Sequence, residues 1–169
     1  MVGQIERVIE ALEAAGVRYL IVGGVAVVLH GYLRTTADLD LVIQLDPPNA
    51  LRAAAALTAL GYRPRAPVAL EEFARAEARG AWARDKQMTV FSLWDPATPT
   101  FEIDLFVTEP FDFDAVHGRA VRVRLDRTEA MVIALDDLIA LKRASGRPRD
   151  LEDIEALEAL RRDPGKEAR

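Results

Sequence analysis

Three aspartates and a pair of glycines are the residues of this chain whose types and spacing suit chemistry. Asp38-Leu39-Asp40 sets two carboxylates two positions apart, and on a strand residues two apart point to the same face. Aspartate is a poor strand former, and adjacent like charges repel. The pair therefore costs stability unless a cation lies between them. Carboxylates so spaced can share two divalent ions ~3.5–4 Å apart, the arrangement of two-metal phosphoryl-transfer sites. A solvated strand face, or a loop ahead of the strand, is the plainer alternative. A third carboxylate lies in the run from Phe101 to Val107, where Phe101, Ile103, Leu105 and Val107 alternate with Glu102, Asp104 and Phe106. From Gln87 to Gly118 the chain has six acidic residues and neither lysine nor arginine. If the two strands are neighbours, Asp104 joins Asp38 and Asp40 in a cage of carboxylate oxygens.

Gly23-Gly24 lies between an apolar run and a short helical segment. Two glycines let backbone N–H groups approach a phosphate closely, and a helix N-terminus adds partial positive charge. A tight strand-to-helix turn also favours glycine for its own sake. Neither G-x-G-x-x-G nor G-x-x-x-x-G-K-[ST] occurs, which argues against dinucleotide-binding and P-loop readings. The chain has no cysteine and two histidines, His30 and His117. Thiolate zinc, cysteine nucleophiles, disulfides and His-rich metal sites are thereby excluded, and any metal is held mainly by oxygen, as Mg²⁺ or Mn²⁺ is. Both histidines read as packed or surface residues.

The elements that position these groups follow from periodicity. Ile5, Val8, Ile9 and Leu12 predict an amphipathic first helix ending near Gly16. Val17 to Val22 reads as a buried strand, Val25 to His30 as a short helix, and Leu39 to Ile43 as a second strand. Asp46-Pro47-Pro48 introduces a helix from about Asn49 to Leu60, with Gly61 as its C-cap. Leu70 to Ala78 suits a helix. Met88 to Trp94 and Thr100 to Val107 suit two strands, and Arg119 to Leu125 a half-exposed one. Asp136 is expected to cap a helix through Ala144, broken by Ser145-Gly146-Arg147-Pro148. A last helix is expected to bury Leu151, Ile154, Leu157 and Leu160. The whole predicts an α+β fold: a small mixed sheet flanked by helices, with two of them at the C-terminal end. We expect a single domain over 1–163 and a frayed tail over 164–169.

The chain of 169 residues has 22 basic and 27 acidic side chains, a net charge of −5. The size suits one domain with a real core, and the charge argues against non-specific duplex binding. The longest uncharged apolar stretch, Tyr19 to Leu29, is far short of the ~20 residues a bilayer requires. Met1 to Glu13 does not read as a signal peptide, because it is amphipathic and includes Glu6 and Glu10. A cytoplasmic protein without membrane contact is expected.

Gly23-Gly24, then thirteen residues, then Asp38-Leu39-Asp40, with Asp104 on a later strand, resembles the nucleotidyltransferase fold of the DNA polymerase beta superfamily. There a Gly-Gly or Gly-Ser turn precedes a D-x-D or D-x-E pair, and a third acid follows on another strand. Leu138-Ile139-Ala140-Leu141-Lys142 and Arg147-Pro148-Arg149-Asp150-Leu151-Glu152-Asp153-Ile154 resemble the lysine and R-x-K-D-x-x-D motifs of AbiEii-type nucleotidyltransferase toxins and related small bacterial proteins. Gly24 stands where many members have serine, Arg149 where they have lysine, and the chain is shorter than AbiEii-type toxins.

The resemblance implies an enzyme that moves a nucleoside monophosphate from NTP to an acceptor and releases pyrophosphate. It implies that Asp38, Asp40 and Asp104 bind Mg²⁺ or Mn²⁺ and are catalytic. Gly23 and Gly24 would cradle phosphates, with Arg34 and Lys142 as further nucleotide-binding residues. Arg34 serves equally well as a cover for the sheet edge. Asp150 is read as support for Arg147 or Lys142, or as a first-turn acid. Arg122 and Arg124, flanked by Arg119 and Arg127, suit a solvated strand face or a guide for RNA. The acceptor implied is tRNA or a protein side chain, and the setting a toxin–antitoxin or phage-defence pair with a cognate toxin or antitoxin partner. The alternative is a non-catalytic antitoxin or partner-binding module of the same fold.

Overall fold

The computed structural model describes residues 2–162, so the expected tail over 164–169 lies outside the described residues. The chain order is α1 (Val2–Ala14), β1 (Tyr19–Ile21), α2 (Gly23–Leu29), β2 (Asp38–Ile43), α3 (Pro47–Ala59), β3 (Arg63–Pro64), a 3-10 turn (Leu70–Ala74) and α4 (Ala76–Asp85). Then follow β4 (Val90–Trp94), β5 (Glu102–Phe106), α5 (Phe113–His117), β6 (Val121–Arg124), β7 (Glu129–Val132), α6 (Leu135–Ser145) and α7 (Pro148–Arg162).

One mixed sheet takes the strands in the order β3-β4-β5-β2-β1-β7-β6. β2 runs parallel to β5, and β1 parallel to β7; the other pairs are antiparallel. Its centre is covered on both faces, because Leu41, Val42 and Ile43 are consecutive in sequence and all fully buried, as are Leu20, Ile21 and Val22. A strand apolar on both sides needs helices on both sides. α1 contributes Ile5, Val8, Ile9 and Leu12 and packs on α3, while α6 packs on α7 and α2. The α+β fold with a mixed sheet and C-terminal helices is as the sequence predicts.

Several local expectations are corrected. α3 begins at Pro47, where prolines fill the first two positions and Asp46 accepts a bond from Asn49 N at 3.1 Å. α2 begins at Gly23, so the glycines form its first turn rather than a linker. The helix expected over 70–78 is a 3-10 turn and then α4, divided at Arg75, whose backbone is extended (φ −87°, ψ 119°). Arg79 stabilises that break: its buried guanidinium donates to the carbonyls of Phe73 at 2.5 Å and Leu45 at 3.2 Å.

α6 is capped by Ala134, not Asp136, which sits in the first turn and pairs with Arg161 of α7 at 3.2 Å. In α7 the expected apolar row is wrong at its start. Leu151 is 59 % exposed, and Asp153 faces inward beside Ile154 and Leu157. Leu160 is half-buried. The strand expected over 119–125 is β6, but its hairpin partner β7 carried no readable alternation. Among the described residues, no helix is long and apolar enough to cross a membrane.

Candidate active site

The three aspartates meet where β2 and β5 run side by side. Their register pairs Asp38 with Glu102 and Asp40 with Asp104. Leu39, Leu41, Ile103 and Leu105 are buried on one face, which commits the carboxylates to the other. Asp104 Oδ1 accepts a 2.5 Å bond from Ser92 Oγ on the adjacent strand β4. Sequence reasoning passed over Ser92, whose one mark in the sequence is that it is the lone polar residue of the run Val90 to Trp94.

The glycine turn presses directly on Asp40. Gly23 has φ +62°, and a Cβ there would lie 1.9 Å from Asp40 Oδ2. Glycine is thus required twice, by backbone conformation and by space. The N–H of Gly24 favours the charged form of the Asp40 carboxylate, and Val22 N donates to the Asp40 carbonyl at 3.0 Å. Burial raises the Asp40 pKa to about 6, aided by the charges of Asp104 and Asp38 and opposed by the Gly24 N–H and Lys142. Burial also raises Asp104, and Asp38 and Glu102 add to it, against the Ser92 bond and Arg147.

Among the described residues, none of the three aspartates forms a salt bridge. The donor set fits a hard divalent cation: three oxygen-bearing groups, crowded, two of them (Asp40 and Asp104) with raised affinity for protons, and no basic partner in contact. Their side chains are not closed into a cage as they stand. Among the described residues, no three acidic or imidazole groups converge closely enough to enclose an ion. Asp40 leans on the glycine turn and Asp104 on Ser92 instead.

Facing the carboxylates is a group of basic residues held by α7. Lys142 of α6 is 5 % exposed. Its Nζ donates to Asp150 Oδ1 at 2.9 Å and to Asp153 Oδ2 at 2.7 Å. It is therefore neither a solvated lysine nor a free arm. Asp150 is its partner, as one of the sequence readings had it. Burial would push the Asp150 pKa up, but bonds from Lys142 and Ser145 outweigh this and hold it below the usual range.

Asp153, 1 % exposed, also receives Arg34, with Nε 2.9 Å from Oδ1 and Nη2 3.1 Å from Oδ2. Arg34 accordingly ties the loop ahead of β2 to α7, and Arg149 strengthens the tie by donating to Thr35 O at 2.7 Å. Asp153 was visible only as the last acid of a motif, with no sign that it would be the hub.

Gly23, Gly24, Arg34, Asp38, Asp40, Asp104 and Lys142 all line one cleft of about 590 Å³. Thr36, Arg147 and Arg149 line it too, and Phe106, Pro110, Leu138 and Leu141 give it an apolar side. Arg122 and Arg124 lie elsewhere, exposed on edge strand β6 and separated from β2 by β1 and β7. His30 Nε2 contacts Ile133 O at 2.8 Å, and His117 stacks on Phe113.

No family model and no curated protein sequence matches the chain. Solved structures do. The lincosamide antibiotic adenylyltransferase LnuA, bound to lincomycin, superposes with a TM-score of 0.64 at 14 % identity, over 95 % of this chain and 98 % of that one. The antibiotic-resistance factor ANT(2'')-Ia in solution superposes with a TM-score of 0.57, also at 14 % identity, over 96 % of this chain and 91 % of that one. The likeness shows a nucleotidyltransferase fold.

Proposed function

We propose that the chain is a divalent-metal-dependent nucleotidyltransferase. It moves a nucleoside monophosphate from NTP to a hydroxyl of an RNA or protein acceptor and releases pyrophosphate. The observation that carries this reading is the parallel register of Asp40 with Asp104, with the glycine turn packed against Asp40 in the same cleft. Asp38, Asp40 and Asp104 would hold Mg²⁺ or Mn²⁺. Such ions, when bound, neutralise the triphosphate and polarise the phosphorus under attack. The acceptor oxygen bonds to the α-phosphorus, the bond from that phosphorus to the β-phosphate oxygen breaks, and pyrophosphate leaves. The hydroxyl proton passes to Asp104, whose burial raises its proton affinity.

The Gly23-Gly24 turn would take the β- and γ-phosphates against the backbone. Arg34, packed beside Gly24, and Lys142, both fixed by Asp153, would supply positive potential. The bonds from Lys142 to Asp150 and Asp153 join the two stretches on which the likeness to AbiEii-type proteins rests. On that likeness we place the chain in the cytoplasm as one member of a toxin–antitoxin or phage-defence pair.

The test is label transfer. The protein is incubated with Mg²⁺ or Mn²⁺, each NTP labelled at the α-phosphate, and total tRNA, lysate protein or lincomycin as acceptor. Label on RNA or protein is expected, and Asp38→Asn/Asp40→Asn lowers transfer by at least about a hundredfold while the fold persists. Label on lincomycin alone replaces the macromolecular acceptor with a small hydroxylated one. No label above the double variant under any condition sinks the catalytic reading in favour of a partner-binding module.

A further inference from the structure

Arg65, Trp94 and Glu102 gather on the sheet face that carries the carboxylates, beside the cleft but outside the residues that line it. The strand registers put them there. Pairing sets Trp94, Glu102 and Asp38 in one row across the sheet, and Ser92, Asp104 and Asp40 in the next. Arg63 pairs with Trp94, and Arg65 N donates to Ser92 O at 2.9 Å, so the chain at β3 extends both rows. Side chains paired across strands share a face. Along β4 and β5 that face is half-buried while the alternate residues are buried, so the fold leaves it partly open.

The Arg65 guanidinium lies over the Trp94 ring, 4.7 Å from its centroid. Its Nε donates to Glu102 Oε1 at 3.0 Å, and Nη2 pairs with the same oxygen. Indole thus covers one side of the cation and Glu102 fixes one edge, yet the side chain is 45 % exposed. Exposed ion pairs add little to stability. What this one offers is a planar cation with a free side, the kind of surface on which an unpaired nucleobase stacks. Arg63 is exposed in the same row, forms no ion pair among the described residues, and suits a backbone phosphate.

β1, which leads into the glycine turn, flanks β2 on one side, and β5 and β4 flank it on the other. In phosphoryl transfer the attacking and leaving oxygens lie roughly in line. With pyrophosphate leaving towards the glycine turn, the acceptor arrives from the side of β5 and β4, where Asp104 and the stacked pair stand. Glu102 and Asp104 are two residues apart on β5, about 7 Å, within the span of one nucleotide. We propose that Arg65, supported by Trp94 and Glu102, is an acceptor-binding platform: a base of single-stranded RNA stacks on it, next to the nucleotide whose hydroxyl reaches Asp104. This rests on the nucleotidyltransferase reading and narrows its acceptor to unpaired RNA.

Fluorescence anisotropy tests it, with a labelled single-stranded RNA of eight nucleotides and an abasic oligomer of the same length and charge. Arg65→Lys keeps the charge but not the plane. It is expected to weaken RNA binding by about tenfold or more, the weight of one stacked base, and to leave binding of the abasic oligomer unchanged. Trp94→Leu is expected to weaken RNA binding likewise, and Trp94→Phe to retain most of it, with thermal melts to show that each variant folds. RNA binding by Arg65→Lys equal to that of the unsubstituted chain overturns the proposal and leaves nucleotidyl transfer intact. Label transfer to protein or lincomycin by a chain that binds no RNA overturns it too. A chain that prefers the RNA to the abasic oligomer but binds no NTP with Mg²⁺ removes the nucleotidyltransferase reading and retains the stacking site.

Discussion

Asp40 holds its carboxylate where the folded chain prefers it protonated. Burial and the neighbouring charges of Asp104 and Asp38 raise its pKa from 3.8 to about 6. The folded state then binds the proton more tightly than the unfolded state, so the favourable contribution is complete below about 3.8 and is lost as pH rises through about 6. Ionised Asp40 is thus a local liability of the metal-free protein at neutral pH. Asp40→Asn keeps an acceptor for the Gly24 N–H and removes the charge. In chelator at pH 8 it is expected to melt about 2–4 °C higher than the unsubstituted chain, equivalent to about 1 kcal/mol. The difference should close towards pH 4. A melt that falls at pH 8 would mean that the Asp40 charge is stabilised by something other than a cation. Metal affinity has the opposite dependence, because the ligand must be ionised. Mg²⁺ binding should weaken progressively below about pH 6.

The element that fixes the basic wall is α7, and its action runs through Asp153. That carboxylate is buried between Lys142 of α6 and Arg34 of the loop before β2. Removing one partner of a buried pair leaves the others uncompensated, at about 3–5 kcal/mol. Asp153→Ala is expected to lose stability of that order in a denaturant melt. Asp150→Ala, whose partner Lys142 keeps Asp153, should lose clearly less. Equal losses would show that Asp153 is not the hub.

How much of this was legible follows from the geometry of each element. β2 and β5 were readable because Leu39, Leu41, Ile103 and Leu105 alternate with acids, and alternation is the signature of a strand with one face committed to the core. The start of α7 was misread because Leu151 lies at an apolar spacing while the inward position is filled by Asp153, and a helical period cannot announce an ion pair made to another element. β7 offers only Ala130 and Val132 as buried residues, too few for a period to emerge. Ser92 carries no apolar signal at all. It matters through one hydroxyl, which donates to Asp104 on the adjacent strand.

At the scale of the whole molecule, the site depends on a pairing between strands far apart in sequence, and no local pattern states that β5 will lie parallel to β2. On the proposed reading, the crowded carboxylates at that seam would make the intact fold a better cation binder than the unfolded chain. Mg²⁺ at a hundredfold excess over its dissociation constant should stabilise the protein by about 2.7 kcal/mol. The shift should disappear in Asp38→Asn/Asp40→Asn, and its survival there would place the ion elsewhere.

The strand order also decides what the two rims of the sheet present to other chains. One rim is β3, two residues long and ending in Pro64; the other is β6, whose Arg122 and Arg124 are exposed. Proline withholds a ladder donor, and arginine cannot be stacked against its own copy without repulsion. Neither rim therefore offers a template on which further strands can add, and the long central ladder is screened from the edge-to-edge growth that leads to fibrils.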